Sequence, residues 1–139
     1  NELKPSAVTK DVELRYLPMP NLPRVMADSA KLKEIFANLV SNGIKYNVAG
    51  GTVTITYELR DRFLATTVSD TGIGISHADQ KRLFEKFWRS EEVAVRAQAG
   101  TGLGLFIVRE LVVRMGGSIS VHSAPGKGTS ITFLLPLAK

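Results

Sequence analysis

The chain has 139 residues, of which 44% are hydrophobic and 22% charged, a composition typical of one globular domain with a buried core. Cysteine is absent, which excludes disulfides and thiolate metal sites, and no apolar run approaches the roughly 20 residues of a membrane helix. The formal net charge of +5 comes from dispersed basic residues, which favours solvated helix faces or an anionic ligand such as a polyphosphate over nucleic acid. Since the start of the chain shows no signal-peptide pattern, we expect a cytoplasmic domain.

Apolar periodicity and glycine-rich breaks predict the order of helices and strands. The predicted elements are a linker or strand extension at 1–10, strands at 12–16 and 24–27, a helix from 29 to about 47, a hairpin of strands at 52–59 and 63–68, a short helix at 77–87, a mobile loop at 88–101, a buried helix at 102–115, and strands at 118–123 and 129–135. Asp28 or Ser29 is expected to cap the first helix. This order predicts one α+β domain over 11–139, a two-layer sandwich whose mixed, mostly antiparallel sheet carries helices on one face.

Four polar residues share one face of the first predicted helix. Glu34, Asn38 and Asn42 are four apart and Lys45 follows three later, so all four side chains project from the same side. A solvated face is one interpretation, but such faces favour Glu, Lys and Gln, and asparagine is a poor helix former. Asparagine carbonyls are hard oxygen ligands suited to Mg²⁺, and a nearby lysine can bind a phosphate. The residue types on this helix face therefore favour a binding role over a solvated surface.

Two glycine-rich segments are further candidates. Asp70-Thr71-Gly72-Ile73-Gly74-Ile75 follows a predicted strand, where a carboxylate can accept a hydrogen bond from an amine, although aspartate and glycine are common in ordinary turns. Gly100-Thr101-Gly102-Leu103-Gly104-Leu105 opens the long helix, whose N-terminus is suited to a phosphate, although a flexible hinge is compatible with the same glycines. The spacing matches neither the Rossmann fingerprint nor a Walker A motif.

The order of the motifs is more specific than any motif alone. Asn-x-x-x-Asn-x-x-Lys-Tyr at 38–46, Asp-x-Gly-x-Gly at 70–74, Leu-Phe-Glu-Lys-Phe at 83–87 and Gly-Thr-Gly-Leu-Gly-Leu at 100–105 resemble the N, G1, F and G2 boxes of bacterial sensor histidine kinases. Gly126-x-Gly128-Thr129 and Phe133-x-x-Pro136 resemble that family's closing hairpin. The resemblance implies the Bergerat ATP-binding fold, shared with gyrases, heat-shock chaperones and MutL proteins, in which 71–101 would form a mobile ATP lid.

The resemblance also implies how the domain would bind ATP and Mg²⁺. Asp70 would hold the adenine amine, Gly74 would line that pocket, and Thr129 would act through a bridging water. Asn38 would coordinate Mg²⁺, and Tyr46 would lie against the base or ribose. The other residues implied to contact the nucleotide are Asn42, Lys45, Gly72, Ile75, Phe87, Gly100, Thr101, Gly102, Leu103, Gly104 and Leu105, with Phe84 and Phe87 anchoring the lid.

The implied chemistry is phosphoryl transfer to an imidazole nitrogen, in which positioning and charge neutralisation dominate. The implied catalytic residues are Glu34, Asn42, Lys45 and Arg89. Glu34 is interpreted either as a base or orienting residue or as a capping or ion-pairing glutamate. Arg89 and Arg96 are candidates for the γ-phosphate, with simple solvation as the alternative.

The implied partners follow from a missing acceptor. Neither His77 nor His122 fits the family's phosphoacceptor, which lies in an upstream helical dimerisation domain. The partners would be ATP, that phosphotransfer domain of the same parent protein, and a response-regulator receiver domain. The isolated domain is expected to be monomeric and its parent protein a homodimer. One possible parent is a sensor kinase of the inner membrane.

Two other functions compete with a kinase. In a non-kinase ATPase of the same fold, ATP would drive a conformational change, but the compact lid argues against the gyrase and chaperone types. A serine-directed anti-sigma-factor kinase is a closer alternative, and the intact 83–87 motif argues against it. In a binding module that retains only the fold, Asn38, Asp70 or the lid glycines should be lost, and all are present.

Overall fold

The structure is a computed structural model that describes residues 11–17, 19–25, 27–85 and 104–138. The elements in these ranges are β1 (Glu13–Tyr16), α1 (Ser29–Lys45), β2 (Thr52–Arg60), β3 (Phe63–Asp70), α2 (His77–Gln80), α3 (Gly104–Arg114), β4 (Ser118–Ser123) and β5 (Thr129–Pro136). None of the helices in these ranges is long and apolar enough to cross a membrane.

The strands form a mixed sheet in the order β1-β2-β3-β5-β4. β1 runs parallel to β2, and every other neighbouring pair is antiparallel, which confirms the predicted mostly antiparallel sheet. Because β3 lies between β2 and β5, the end of β3 at Asp70 meets the start of β5 at Thr129 in the middle of the sheet.

The core lies between one face of this sheet and helices α1 and α3. Asp28 caps α1, its side chain accepting hydrogen bonds from the backbone N–H groups of Ala30 and Lys31. The apolar positions of α1, spaced three and four apart, then point at the sheet, and Phe36 contacts Phe133 edge to face at 5.6 Å. The buried core is formed by Val12, Ile35, Leu39, Val40, Ile44, Val53, Ile55, Val68, Val108, Leu111, Val112, Ile131, Phe133 and Leu135.

Three predicted boundaries need correction. The strand predicted at 24–27 is a single bridge between Val25 and Leu137 in the described residues, next to a hydrogen bond from the Ala138 N–H to the Arg24 carbonyl at 2.9 Å. The helix predicted at 77–87 ends at Gln80, because the following residues bond to the carbonyl three residues back, as in a series of tight turns. Conversely, β3 continues two residues past its predicted end to Asp70, because Asp70 pairs with Thr129.

Candidate functional site

Three polar residues form a row across one end of the sheet, on the face that α1 covers. Ser123 on β4 is directly opposite Thr129 on β5, and Thr129 is directly opposite Asp70 on β3. Directly opposed residues project to the same face of a sheet. Thr129, in the middle of the row, is only 9% exposed, and Asp70 and Ser123 on either side of it are half-buried.

Asp70 is held by backbone donors on one of its two carboxylate oxygens. The N–H groups of Gly72 and Thr129 donate to Oδ1 at 2.9 and 3.2 Å. No residue in the described ranges donates to Oδ2. Burial raises the pKa of Asp70 to about 6, although both backbone hydrogen bonds act in the opposite direction. A half-buried carboxylate with a free acceptor oxygen is suited to a ligand that donates a hydrogen bond.

The backbone closes on Asp70 from two sides through glycines. A Cβ at Gly43 of α1 would lie 3.1 Å from Val53 and 3.7 Å from the Asp70 Cβ, so α1 sits on this end of the sheet with almost no gap. Gly128 has a φ of +78°, and a Cβ there would collide with the backbone carbonyl of Asp70. A Cβ at Gly43 would require a small shift of the Val53 side chain, whereas one at Gly128 would require the backbone itself to move.

The loop after β3 is fixed between the end of α1 and the β4–β5 turn. The Ile73 N–H donates to the carbonyl of Tyr46, the C-cap of α1, at 3.1 Å, and the Ile73 carbonyl accepts from Gly126 N–H at 2.7 Å. Gly72 packs against that Tyr46 carbonyl, and Gly74, at φ +75°, packs against the carbonyl of Ala124. The predicted site residues Tyr46, Gly72 and Gly74 therefore lie together beside Asp70.

Ser123 and Gln80 bind the next residue of this loop, and sequence reasoning missed both. Ser123 Oγ accepts from the Ile75 N–H at 2.8 Å, donates to the Gly128 carbonyl at 2.7 Å, and lies 2.9 Å from Thr129 Oγ1. Gln80 Nε2 donates to the carbonyls of Ile75 and Ser123 at 2.9 and 2.8 Å. A serine ending a strand gives no sequence signal for such a role, which appears only once β4 is paired with β5.

Asn47 is a third residue that the sequence did not single out. It is 5% exposed, and its Oδ1 accepts from the Val48 N–H at 2.8 Å and from Thr71 Oγ1 at 3.1 Å, while its Nδ2 donates to the Thr52 carbonyl at 2.9 Å. Thr71 in turn accepts from the Thr52 N–H at 2.8 Å. This network ties the end of α1 to the adjoining ends of β2 and β3, and so holds the helix over Asp70.

Asn38 lies further along α1, beside the start of α3. Its Nδ2 donates to the Glu34 carbonyl at 3.0 Å, which directs Oδ1 the other way, and a Cβ at Gly104 would lie 3.1 Å from that oxygen. Five residues of helix separate Asn38 from Gly43, a rise of about 7.5 Å. The polar face of α1 thus runs from the buried carboxylate to the first residue of α3.

Comparison with known proteins identifies this arrangement. Residues 27–139 match the sequence profile of the histidine kinase-, DNA gyrase B- and HSP90-like ATPases. The solved structure of the mycobacterial sensor histidine kinase MprB is 30% identical, superposes with a TM-score of 0.84, and is covered over 90% of its chain by 97% of this one. The chain belongs to this ATPase family, as a catalytic domain of the bacterial histidine kinase type.

Longer proteins give the same result over part of their length. SenX3 of Mycobacterium tuberculosis H37Rv is 41% identical over 133 residues, 96% of this chain and 32% of SenX3. WalK of Bacillus subtilis is 38% identical, over 93% of this chain and 22% of WalK. ShkA, solved at full length with AMPPNP, is 32% identical with a TM-score of 0.84, over 99% of this chain and 28% of ShkA. The chain thus spans about a third or less of the curated relatives that it matches.

The residues that the histidine kinase resemblance implied divide into three groups in the structure. Asp70, Gly72, Gly74, Ile75 and Thr129 adjoin one another, and Tyr46 closes the same end. Along α1, Asn38, Asn42 and Lys45 are half-buried, whereas Glu34 is exposed and contributes its carbonyl to Asn38 rather than a side-chain contact. Leu105 packs against the core behind Gly104, and Phe84 is half-buried in the turns after α2. The predicted residues Phe87, Arg89, Arg96, Gly100, Thr101, Gly102 and Leu103 lie outside the described ranges.

Proposed function

We propose that this domain binds Mg²⁺-ATP and presents the γ-phosphate to a histidine in a separate phosphoacceptor domain of its parent, a sensor histidine kinase of a two-component system. The observation that carries the proposal is the half-buried Asp70 carboxylate. Its Oδ1 is saturated by two backbone N–H groups and its Oδ2 is left for a ligand donor. The exocyclic amine of adenine is such a donor, and the glycines packed around Asp70 fix the backbone that holds this carboxylate.

The other end of the site suits the phosphates. The polar face of α1 leads from Asp70 toward Asn38, Asn42 and Lys45, and the first residue of α3 adjoins Asn38. A helix N-terminus carries unpaired N–H groups and a partial positive charge, both favourable to phosphate oxygens. The AMPPNP bound in the structure of the relative ShkA supports a nucleoside triphosphate as the ligand of this fold.

A magnesium ion fits the donor set near Asn38. The described residues contain no cluster of three or more histidine, aspartate and glutamate side chains, so an all-carboxylate site is absent from them. Mg²⁺ commonly takes one or two protein oxygens together with substrate phosphates and water, and Asn38 Oδ1 is the carbonyl oxygen left after Nδ2 bonds to Glu34. When bound, the ion would neutralise phosphate charge and so ease phosphoryl transfer.

The residues of this chain would act by holding ATP rather than by covalent chemistry. Asp70, with Thr129 beside it, fixes the base, and the α1 face fixes the phosphates, so that the γ-phosphate is presented to a nucleophile from outside. A neutral imidazole nitrogen needs no strong base, which is consistent with an exposed Glu34. We propose Glu34 as a base or orienting residue for the incoming imidazole, with a capping or ion-pairing glutamate as the alternative, and infer that residues 11–139 form one catalytic domain after a linker or strand extension at 1–10.

The proposed partners follow from the chemistry. The γ-phosphate would pass to the dimerisation and phosphoacceptor domain of the same parent, and from there to the receiver domain of a response regulator. Because ATP is a cytoplasmic substrate, the domain would face the cytoplasm in a parent that is either anchored in the inner membrane or not. We expect the isolated domain to be monomeric and the parent a homodimer.

The test supplies the parent's helical phosphoacceptor domain in trans together with labelled ATP and Mg²⁺. The expected result is label on the acceptor domain that is labile in acid and stable in base, as for phosphohistidine. A matched reaction with the acceptor histidine replaced by glutamine controls for other sites. Nucleotide binding without transfer would favour a non-kinase ATPase, and absence of nucleotide binding would favour a module that keeps only the fold.

A further inference from the structure

We propose that Ser123 is a positioning residue that fixes the Thr129 hydroxyl as a hydrogen-bond acceptor, and thereby makes the site select a 6-amino purine over a 6-oxo purine. The inference rests on the proposed nucleotide binding at Asp70. It concerns a residue whose side chain sits one strand away from the predicted base site, behind Thr129 in the row across β4, β5 and β3.

The argument begins with the single proton of the Ser123 hydroxyl. A serine hydroxyl has one proton to donate and two lone pairs that accept. The carbonyl of Gly128, at 2.7 Å, can only accept, so the proton lies there. The Ile75 N–H, at 2.8 Å, can only donate, so it occupies one lone pair.

One lone pair then remains for Thr129. The two hydroxyl oxygens are 2.9 Å apart, and because Ser123 has no second proton, Thr129 must be the donor between them. The Thr129 proton is therefore directed away from the base site. What Thr129 presents to that site is lone pairs only.

The result is two acceptors side by side, with no side-chain donor between them among the residues that the structure describes. Thr129 Oγ1 and the free Oδ2 of Asp70 belong to directly opposed residues on the same face of the sheet. The amino group of adenine carries two protons, and so can satisfy such a pair directly or through a water. The 6-oxo group of hypoxanthine or guanine is an acceptor that would face lone pairs, which a site built this way rejects.

Gln80 provides a matched control for this argument. It holds the same loop residue as Ser123, since its Nε2 binds the carbonyls of Ile75 and Ser123. It has no hydrogen bond to Thr129 in the described residues. Loss of Gln80 would therefore loosen the loop and weaken both purine nucleotides together, without freeing the Thr129 proton.

The experiment measures the dissociation constants of Mg²⁺-ATP and Mg²⁺-inosine triphosphate for the 139-residue chain, by competition with a fluorescent ATP analogue. In Ser123→Ala the Thr129 hydroxyl can rotate and donate to the 6-oxo group. We expect the ratio of the inosine to the adenosine constant to fall by about three- to tenfold, the effect of one neutral hydrogen bond. Gln80→Ala should leave the ratio unchanged, and Ser123→Thr, which keeps a hydroxyl, should restore it.

The outcomes separate this inference from the proposed function. If the wild-type chain binds ATP and Ser123→Ala keeps the wild-type ratio, or Gln80→Ala lowers it equally, Ser123 does not act through Thr129 and the inference is overturned. If the wild-type chain binds no ATP, the proposed function itself fails. Should Ser123→Ala not fold, the same ratio is measured in Ser123→Cys, whose thiol is a weak acceptor, with the same expected fall.

Discussion

When Asp70 is ionised, its charge lowers the free energy of unfolding of the nucleotide-free domain. Its pKa of about 6 lies above the ordinary value of 3.8 because burial removes water from the carboxylate. Between pH 3.8 and pH 6 the folded state binds more protons than the unfolded state, so the free energy of unfolding falls as the pH rises. The stability that the protonated Asp70 allows below pH 3.8 is therefore lost as the pH rises through 6. Above pH 6 the cost of the buried charge is on the order of 3 kcal/mol.

The first prediction is that Asp70→Asn raises the stability of the nucleotide-free chain at pH 7.5. The asparagine carbonyl can still accept from Gly72 and Thr129, while the buried charge is gone, so the free energy of unfolding should rise by roughly 1–3 kcal/mol. Urea unfolding at pH 7.5 and at pH 4 measures it, and the gain should disappear at the lower pH. Asp61→Asn, in the exposed β2–β3 turn, should change little; a less stable Asp70→Asn at pH 7.5 would contradict the account.

The second prediction concerns Asn38. If its carbonyl coordinates Mg²⁺, Asn38→Ala should weaken ATP binding about tenfold or more when Mg²⁺ is present and much less in EDTA. Ser41→Ala, on the same helix, serves as the control and should behave as wild type in both conditions. Equal losses with and without the metal would mean that Asn38 acts on the nucleotide or on the helix instead.

At the scale of elements, the β4–β5 turn supports the base site through its backbone. Gly126 and Gly128 have nearly the same φ, +75° and +78°, but a Cβ at Gly126 would meet open space, whereas one at Gly128 would collide with the Asp70 carbonyl. A substitution at either position therefore carries the strain of a left-handed residue, but only at Gly128 would the added Cβ also collide with the Asp70 carbonyl. This makes them a matched pair.

The third prediction follows from that pair. Gly126→Ala should cost about 1 kcal/mol of unfolding free energy, because of its backbone conformation alone, and keep nucleotide affinity. Gly128→Ala should cost about 2 kcal/mol more and weaken ATP binding as well, since β3 must move at Asp70. Denaturant unfolding and nucleotide titration of both variants provide the comparison. Equal effects of the two substitutions on ATP affinity would mean that the contact between Gly128 and Asp70 does not support nucleotide binding.

The elements show which parts of the fold a single sequence encodes. The apolar period of α1, the hairpin alternation and the cap at Asp28 are local signals, and each was confirmed. The strand predicted at 24–27 is reduced to one bridge in the described residues, because strand formation depends on a partner that the local sequence does not show. The end of β3 was likewise decided by its pairing with β5.

The site divides in the same way. Asp70, the two glycines after it and Thr129 were predicted as a group, because their motifs have a recognisable order, and the structure brings them together. Ser123, Gln80 and Asn47 were missed because their side chains bind the backbone of elements distant in sequence. Such bonds leave no periodic or motif signal, and they become visible only after the strands are paired.

At the scale of the whole molecule, stability and function oppose each other at one residue. The sheet, α1 and the β4–β5 turn together keep a carboxylate in a place where it destabilises the free domain, and a bound adenine would use that carboxylate. Nucleotide binding should therefore stabilise the folded chain, by about 2.7 kcal/mol at a ligand concentration one hundred times the dissociation constant.

The most direct test of the central claim is calorimetric titration of Mg²⁺-ATP into the wild-type chain and Asp70→Asn at pH 7.5. We predict binding at one site in the wild type and a loss of roughly 30- to 100-fold or more in the variant, because an amide donor would face the adenine amine. The variant should be folded and more stable, so the loss cannot come from unfolding. Wild-type affinity in Asp70→Asn, or no binding by the wild-type chain, would contradict the account.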